Sequence, residues 1–594
     1  MSIAERIVRL RMYMKSHEID LCIIPTADYH QSEYVGEYFK LREYMTGFTG
    51  SAGTAVFTRE KAGLWTDGRY FLQAEEQLKG TGISLYRTGE PGVPSVEEFI
   101  KEELPVKGCI GVDGRTIGVN TGEVYEKLAA EKNGRFLYDL DIASFVWKER
   151  PSLSRKPAFF LPLKYTGEST QEKLGRVRQV MKKNRADSHI VTSLDDIGWL
   201  LNIRGRDVEY FPLLLSYLMI GSDTAELYVD ENKFSEEIKA ELKKNGVVLL
   251  PYNSIYERIK KAEYNAVLLD RDRVNYTLYK NLPKQVRVIW KENPEIMMKC
   301  VKNEIEVENI RKAHLKDGVA HTKFMYWLKK NIGTKKITEL EVSDKLEAFR
   351  KEQEGFLWPS FDPICAYGEH GAIVHYSASR ETNVQIKEGG LLLTDTGGNY
   401  LEGSTDITRT IAIGEIPQEQ KEHFTLVAAS MLRLSDARFL YGCTGETLDY
   451  AAREPFWREN LDFNHGTGHG VGYLGNIHEP PIAFRWKSGK NSLPPLEENM
   501  VITDEPGLYI TGAYGIRLEN ELLVRAGEKN AYGQFMYFET LTFVPIDLDA
   551  VEPEKLDERE KKLLNRYHAE VYEKIAPFLS KEECKWLQEY TRPI

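Results

Sequence analysis

The chain has 594 residues, 42% of them hydrophobic and 28% charged, which excludes a mostly disordered, collagen-like or low-complexity polymer. At roughly 150 residues per domain, this length predicts about four domain-sized units or fewer large ones. Lys plus Arg is 79 and Asp plus Glu is 90, a formal net charge of −11, which argues against dependence on nucleic acid or an anionic membrane.

The start is charged from Glu5 and Arg6 onward and holds no apolar core of signal-peptide length. Ile3, Ile7, Leu10 and Met14 recur at helical spacing and predict an opening amphipathic helix. Residues 21–24 read as a buried strand, and 55–58 and 63–67 as two strands around a turn at 59–62. Laying 55–71 over 218–234 without a gap matches Ala62 with Ala225, Leu64 with Leu227, Asp67 with Asp230 and Phe71 with Phe234. The stretch 44–50 is echoed at 199–205. The expected origin is an internal duplication giving two related α/β domains of about 150 residues; chance likeness of two strand-turn-strand units is the alternative.

The polar, proline-flanked stretch 149–157 marks one boundary and 291–294 a second. The expected domains are therefore 1–153, 154–295 and 296–594. The most apolar stretch, 210–221, contains Pro212 and is too short to span a bilayer. Residues 299–330 read as one long charged helix, the region after Gly355 as short strands with glycine-rich turns, and the region from Pro553 as charged helix. Cys22, Cys109, Cys300, Cys365, Cys443 and Cys584 are scattered with no Cys-x-x-Cys, which points to a reducing cytosol.

Four short stretches carry chemistry. An apolar run from Leu391 ends at Asp395; Gly397, Gly398 and Asn399 predict a turn; Asp406, Thr408 and Thr410 then share one face of a second strand. Such a hairpin brings Asp395 and Asp406 together, and adjacent carboxylates repel unless a cation or proton lies between them. Alone, Asp beside glycine is an ordinary turn residue. The stretch 464–472, NHGTGHGVG, does not fit G-x-G-x-x-G. It surrounds His465 and His469 with glycines, and His478 follows closely. Imidazole is a common transition-metal ligand, although a lone histidine is more often structural. Residues 501–507 form a strand running into a Pro-Gly turn, with Glu505 at its end; the alternative is a solvated turn glutamate. In 515–520, Arg517 and Glu519 alternate with Ile516 and Leu518 and share a strand face, as a site or as a surface ion pair. Together these stretches offer two Asp, one His and two Glu, a hard donor set suited to two divalent ions such as manganese, cobalt or zinc. With no cysteine in the set, a closed structural zinc site is disfavoured.

The Asp395…Asp406 pair, HGTGHGVG (465–472), DEPG (504–507) and GIRLEN (515–520) closely resemble the metal-dependent aminopeptidase P family. That family shares the pita-bread fold with methionine aminopeptidase and prolidase. GFTGSAGTAVFT (47–58), LWTDGRYF (64–71), FETLTFVPID (538–547) and WLQEYTRPI (586–594) resemble its long three-domain form. The implied fold is α/β and α+β multidomain: two related creatinase-like α/β domains, then a pita-bread catalytic domain with a C-terminal extension. The resemblance implies a dinuclear centre, usually manganese, with Asp395, Asp406, His469, Glu505 and Glu519 as ligands. Asp406 and Glu519 would bridge; Asp395, His469 and Glu505 would each contact one metal. Where relatives often have Asp-Ser-Gly-Ala, this chain has Asp395-Thr396-Gly397-Gly398, which leaves every ligand in place.

The implied reaction is hydrolysis of the first peptide bond of Xaa-Pro peptides, using a hydroxide shared by two metals about 3.5–4 Å apart. Glu505 would be general base and proton shuttle. His375 and His478 would donate hydrogen bonds to the substrate carbonyl, and His465 would lie towards the proline. His469 and Arg517 complete the implied substrate pocket, with Arg517 also orienting Glu519. Arg69 matches a substrate-touching arginine of the family, or simply braces its own turn. A cytoplasmic homodimer that uses no nucleic acid or membrane is implied. The alternatives are a prolidase, a methionine aminopeptidase, or a metal-free binding module of the same fold.

Overall fold

A computed structural model describes residues 1–487 and 492–594. They form two compact units, Met1–Leu161 with Glu168–Glu295, and Pro162–Gly167 with Ile296–Ile594.

In the first unit the opening helix, Ile3–Ser16, starts at a Ser2–Glu5 capping box and buries Ile7, Leu10, Tyr13 and Met14. Two six-stranded sheets follow. The first runs Ser84–Arg87, Ala62–Thr66, Thr54–Thr58, Leu21–Pro25, Cys109–Gly111, Arg135–Leu137. The second runs Val247–Pro251, Ala225–Val229, Tyr217–Gly221, Ser188–Val191, Ala266–Leu269, Arg287–Trp290. Strand by strand the two sheets share the same order of parallel and antiparallel pairs. Even the register agrees: Ala55 pairs with Leu64 in one sheet and Leu218 with Leu227 in the other. The sequence match of 55–71 to 218–234 is thus a match in space as well, as a duplication requires. The apolar stretch at 210–221 is buried over 211–220 and supplies a central strand. Among the described residues no helix is long and apolar enough to cross a membrane.

In the second unit the helix expected over 299–330 begins only at Glu304 and ends at Asn331. Asn303 is the reason. Its side chain accepts from the N–H groups of Ile305 and Glu306, Glu306 reaches back to the Asn303 N–H, and the Asn303 backbone is extended. Strands Ile364–Tyr367, Gly390–Thr396 and Ile407–Ile413 form a small antiparallel sheet. Its apolar face, Leu392, Ile411 and Ile413, packs with Phe324, Met325 and Leu328 of the long helix. The turn expected at 397–399 is instead a strand, Gly398–Tyr400, which pairs with Gly403–Ser404; the chain reverses at residues 401 and 402. Gly397 lets this ribbon peel away, because a Cβ there would lie 1.8 Å from the Thr405 carbonyl oxygen. A six-stranded sheet completes the frame in the order Arg438–Leu440, Gly533–Thr540, Asn520–Asn530, Val501–Asp504, Gly468–Gly470, Glu479–Phe484.

The C-terminal region folds as helices Glu558–Ile575 and Lys581–Tyr590, and Leu563, Leu564, Val571 and Ile575 enter the core. Each fully buried side chain of this type stabilises the fold by about 1.5–3 kcal/mol. His568, on the same helix, is fully buried, and its Nε2 accepts the Ile546 N–H at 3.1 Å. Burial pushes its pKa down to about 3 from 6.5. The unfolded chain therefore binds this proton first. The stability contributed by neutral His568 is complete above about pH 6.5 and is lost as pH falls towards 3, by at most about 1.4 kcal/mol per pH unit. His568→Gln keeps an acceptor but does not titrate, so its melting temperature is expected to fall less between pH 7 and pH 5 than that of the unsubstituted chain. An equal fall would contradict this account.

Candidate metal centre

The small antiparallel sheet supplies the first pair. Asp395 lies near the end of Gly390–Thr396 and pairs across the ladder with Thr408. Asp406 is two residues before Thr408 and so lies on the same face. His469 comes from Gly468–Gly470, a strand flanked on both sides by neighbours. Gly468 is required there, since a Cβ would lie 1.8 Å from the Thr503 carbonyl oxygen. Glu505 follows Val501–Asp504 and is pinned by its N–H to the Thr467 carbonyl at 2.7 Å. Glu519 lies where the chain passes from Tyr514–Arg517 into Asn520–Asn530, and its N–H is held by the Thr408 carbonyl at 3.0 Å.

These residues meet. One ligand atom each from Asp406, His469 and Glu519 lies within 4.8 Å of the others. His469 Nε2 is 3.6 Å from Asp406 Oδ2 and 3.7 Å from Glu505 Oε1. His469 Nδ1 is 3.0 Å from the Gly470 carbonyl oxygen. A carbonyl only accepts, so Nδ1 carries the hydrogen and the Nε2 lone pair faces the carboxylates. Glu519 Oε2 accepts from Thr408 Oγ1 at 2.8 Å, while Oε1 is buried with no hydrogen-bond partner among the described residues. Asp395 is alike: Oδ2 accepts from Arg517, and Oδ1 is buried without such a partner. Each carboxylate is oriented through one oxygen and keeps the other open.

The electrostatics agree. Burial, then the negative charges of Glu519, Asp395 and Glu505, push the Asp406 carboxyl well above its usual range. Burial, then Glu505 and Asp395, do the same to Glu519. Burial lifts Glu505 to about 7, with Arg517 opposing and Asp395 reinforcing. Carboxylates packed this closely stay ionised together only when cations neutralise them. Oxygen donors with one imidazole nitrogen and no thiolate fit hard or borderline divalent ions.

The remaining predicted residues divide. Arg517 is buried and donates from Nη2 (2.6 Å) and Nε (3.2 Å) to Asp395 Oδ2. It therefore orients Asp395, not Glu519 as expected, and it is no surface ion pair. Alternation does not carry across a strand end: the ribbon stops at Arg517 and the sheet strand starts at Asn520. His465 Nε2 lies 2.9 Å from the Tyr509 hydroxyl, which accepts from Arg517 Nη1 at 2.7 Å. His478 packs edge-on against His469 with ring centroids 4.3 Å apart, and the buried Lys302–Glu479 ion pair fixes the residue beside it. His375 lies between Val374, whose carbonyl accepts from Arg517 at 3.3 Å, and Tyr376, whose hydroxyl donates to Glu339 at 2.9 Å. Arg69 belongs to the other unit, where it donates to Asp67 at 2.8 and 2.9 Å across its own turn. Tyr509 and Glu339 had no motif to announce them. Tyr509 acts through distant His465 and, across its own ribbon, Arg517; Glu339 acts through Tyr376.

The fold and the donor cluster define the class, a metallopeptidase: residues 308–526 match Metallopeptidase family M24, and 534–594 its C-terminal region. Residues 6–141 and 149–306 each match the Creatinase/Prolidase N-terminal domain. Aminopeptidase P2 of Arabidopsis thaliana is 38% identical over 97% of this chain and 86% of its own length. A probable Xaa-Pro aminopeptidase P of Paracoccidioides brasiliensis is 36% identical over 100% of this chain and 99% of its own. The solved X-prolyl aminopeptidase of Caenorhabditis elegans, described as a cytosolic enzyme with a di-nuclear active site, superposes with a TM-score of 0.95, 32% identity and complete coverage of both chains. An Xaa-Pro dipeptidase from Bacillus anthracis reaches a TM-score of 0.52 at 26% identity, over 64% of this chain and 99% of its own. The chain belongs to the aminopeptidase P family.

Proposed function

We propose that the protein hydrolyses the first peptide bond of peptides with proline in the second position, with two divalent cations, manganese by family resemblance, bound by Asp395, Asp406, His469, Glu505 and Glu519. The observation that carries this reading is the meeting of Asp406, His469 and Glu519 donors within 4.8 Å, in a chain that superposes along its whole length on an X-prolyl aminopeptidase. Such cations, held by these residues, would supply Lewis-acid polarisation and lower the pKa of water towards neutrality.

The protein's own groups do the rest. Glu505 takes a proton on a carboxylate oxygen and passes it to the leaving proline nitrogen. His375 and His478 donate hydrogen bonds to the carbonyl oxygen as it gains charge. His465, steadied by Tyr509, flanks the proline side, and His469 helps line the pocket. The free α-amine of the substrate sits at Asp406, which limits cleavage to one residue. Arg517 keeps Asp395 aimed. Arg69 contacts the peptide, on its own or a neighbouring subunit's site. The domain limits 153/154 and 295/296, a homodimer and a cytosolic location belong to the same reading; the worm enzyme's cytosolic description supports the last.

His375→Ala is expected to lower kcat more than it raises KM, because a carbonyl donor gains strength as charge develops; an effect confined to KM would make it a binding residue. The function itself is tested with Xaa-Pro-Y-Z, Xaa-Ala-Y-Z and Xaa-Pro on manganese-loaded protein. Cleavage of the first alone is expected. Cleavage of the dipeptide alone would make the protein a prolidase.

A further inference from the structure

Glu521 immediately follows the GIRLEN stretch and has no part in the roles above. Its side chain is fully buried in Asn520–Asn530. Oε1 accepts the Asp406 backbone N–H at 2.7 Å. Asp406 lies just before the strand Ile407–Ile413, so no ladder bond serves that N–H, and Glu521 satisfies it instead.

Glu521 is in turn anchored. His314, fully buried on the helix Glu304–Asn331, stands at ion-pair distance, with Nε2 3.1 Å from Glu521 Oε1 but not aligned for a hydrogen bond. Its Nδ1 lies 2.9 Å from the Ile310 carbonyl oxygen, which holds the ring in place from within the helix. Nearly one turn further along, the same helix face presents Asp317. Asp317 Oδ2 accepts the Thr405 hydroxyl, its Oδ1 accepts the Tyr400 hydroxyl at 3.1 Å, and Arg350 clamps it at 2.6 and 3.1 Å. Consecutive residues Thr405 and Asp406 are thus tied to one helix face through two buried carboxylates.

We propose that Glu521 is a positioning residue for the metal centre: held by His314, it fixes the main chain at Asp406 and so sets where the Asp406 carboxylate meets the cation. This rests on Asp406 being a metal ligand. A pair that merely stabilised the fold would change the melting temperature and leave metal affinity alone, whereas a positioning pair changes affinity. Removing a neighbour that orients a metal ligand commonly costs about 10–100-fold in affinity.

The test is calorimetric titration of chelator-stripped protein with Mn2+ alone. Glu521→Gln keeps an oxygen for the Asp406 N–H, and Glu521→Val removes it. Glu521→Val is expected to weaken the weaker site about 10–100-fold, and Glu521→Gln by no more than about threefold. Unchanged affinity in Glu521→Val, or a loss in Glu521→Gln as large as in Glu521→Val, would overturn the proposal. His314→Leu, which leaves Glu521 in place but unanchored, gives a second route should the valine variant not fold; it is expected to weaken binding about tenfold, and unchanged affinity overturns the proposal. Asp406→Asn is the control and is expected to lose a site. If it keeps both sites, the ligand assignment itself fails and takes the proposal with it; if it loses one while Glu521→Val does not, only the positioning role fails.

Discussion

Glu505→Gln is expected to lower kcat by about 10³-fold, inside the 10²–10⁴-fold range of general acid–base catalysis, with the fold intact. The substitution is nearly isosteric, and the anchor of this residue is its backbone N–H on Thr467. Neither the turn nor the end of Val501–Asp504 depends on the carboxylate. What is lost is an oxygen able to take a proton next to His469 Nε2, 3.7 Å away. An amide still offers one oxygen to a cation, so metal content should fall less than activity does. The check is single-turnover hydrolysis of an Xaa-Pro peptide alongside metal analysis. Near-normal turnover would remove Glu505 as the base.

Glu519→Ala should do something different: release metal and, with it, activity, by at least about 10³-fold. Lewis-acid stabilisation is worth several kcal/mol, and about 1.4 kcal/mol is a factor of ten in rate. Glu519 is one of three residues whose donor atoms lie within 4.8 Å of one another. Thr408 holds one oxygen, and the other is buried without a hydrogen-bond partner among the described residues. Alanine leaves Asp406 and His469 without the third donor of their group. Bound metal per chain, measured after dialysis, should drop below that of Glu505→Gln. Equal metal content in the two variants would contradict a bridging role for Glu519.

Much of this arrangement was legible in the sequence because local pattern and long-range structure agree. The period-two spacing of Asp406, Thr408 and Thr410 aims them to one face, and two of them do hold the site: Thr408 binds Glu519 and Thr410 accepts the Arg517 N–H. The duplication was legible because equivalent strands kept both spacing and register. Most of the failures share a cause, contacts that no local rule encodes. Arg517 reaches Asp395, 122 positions away, rather than its neighbour Glu519. The reversal after Asp395 comes later than its glycines suggest, because Asn399 and Tyr400 find strand partners in Ser404 and Gly403. The late start of the long helix is a local matter instead: the Asn303–Glu306 capping box satisfies the first free N–H groups and fixes the helix end there. Glu521 and His314, 207 positions apart, meet only in the folded core.

Hydrolysis by two cations held by Asp395, Asp406, His469, Glu505 and Glu519 is checked by titrating Mn2+ into chelator-stripped protein while following cleavage of an Xaa-Pro-Y-Z peptide. Activity is predicted to be negligible without metal and to saturate at two equivalents per chain. Full activity without metal, or saturation at a single equivalent, would contradict the account.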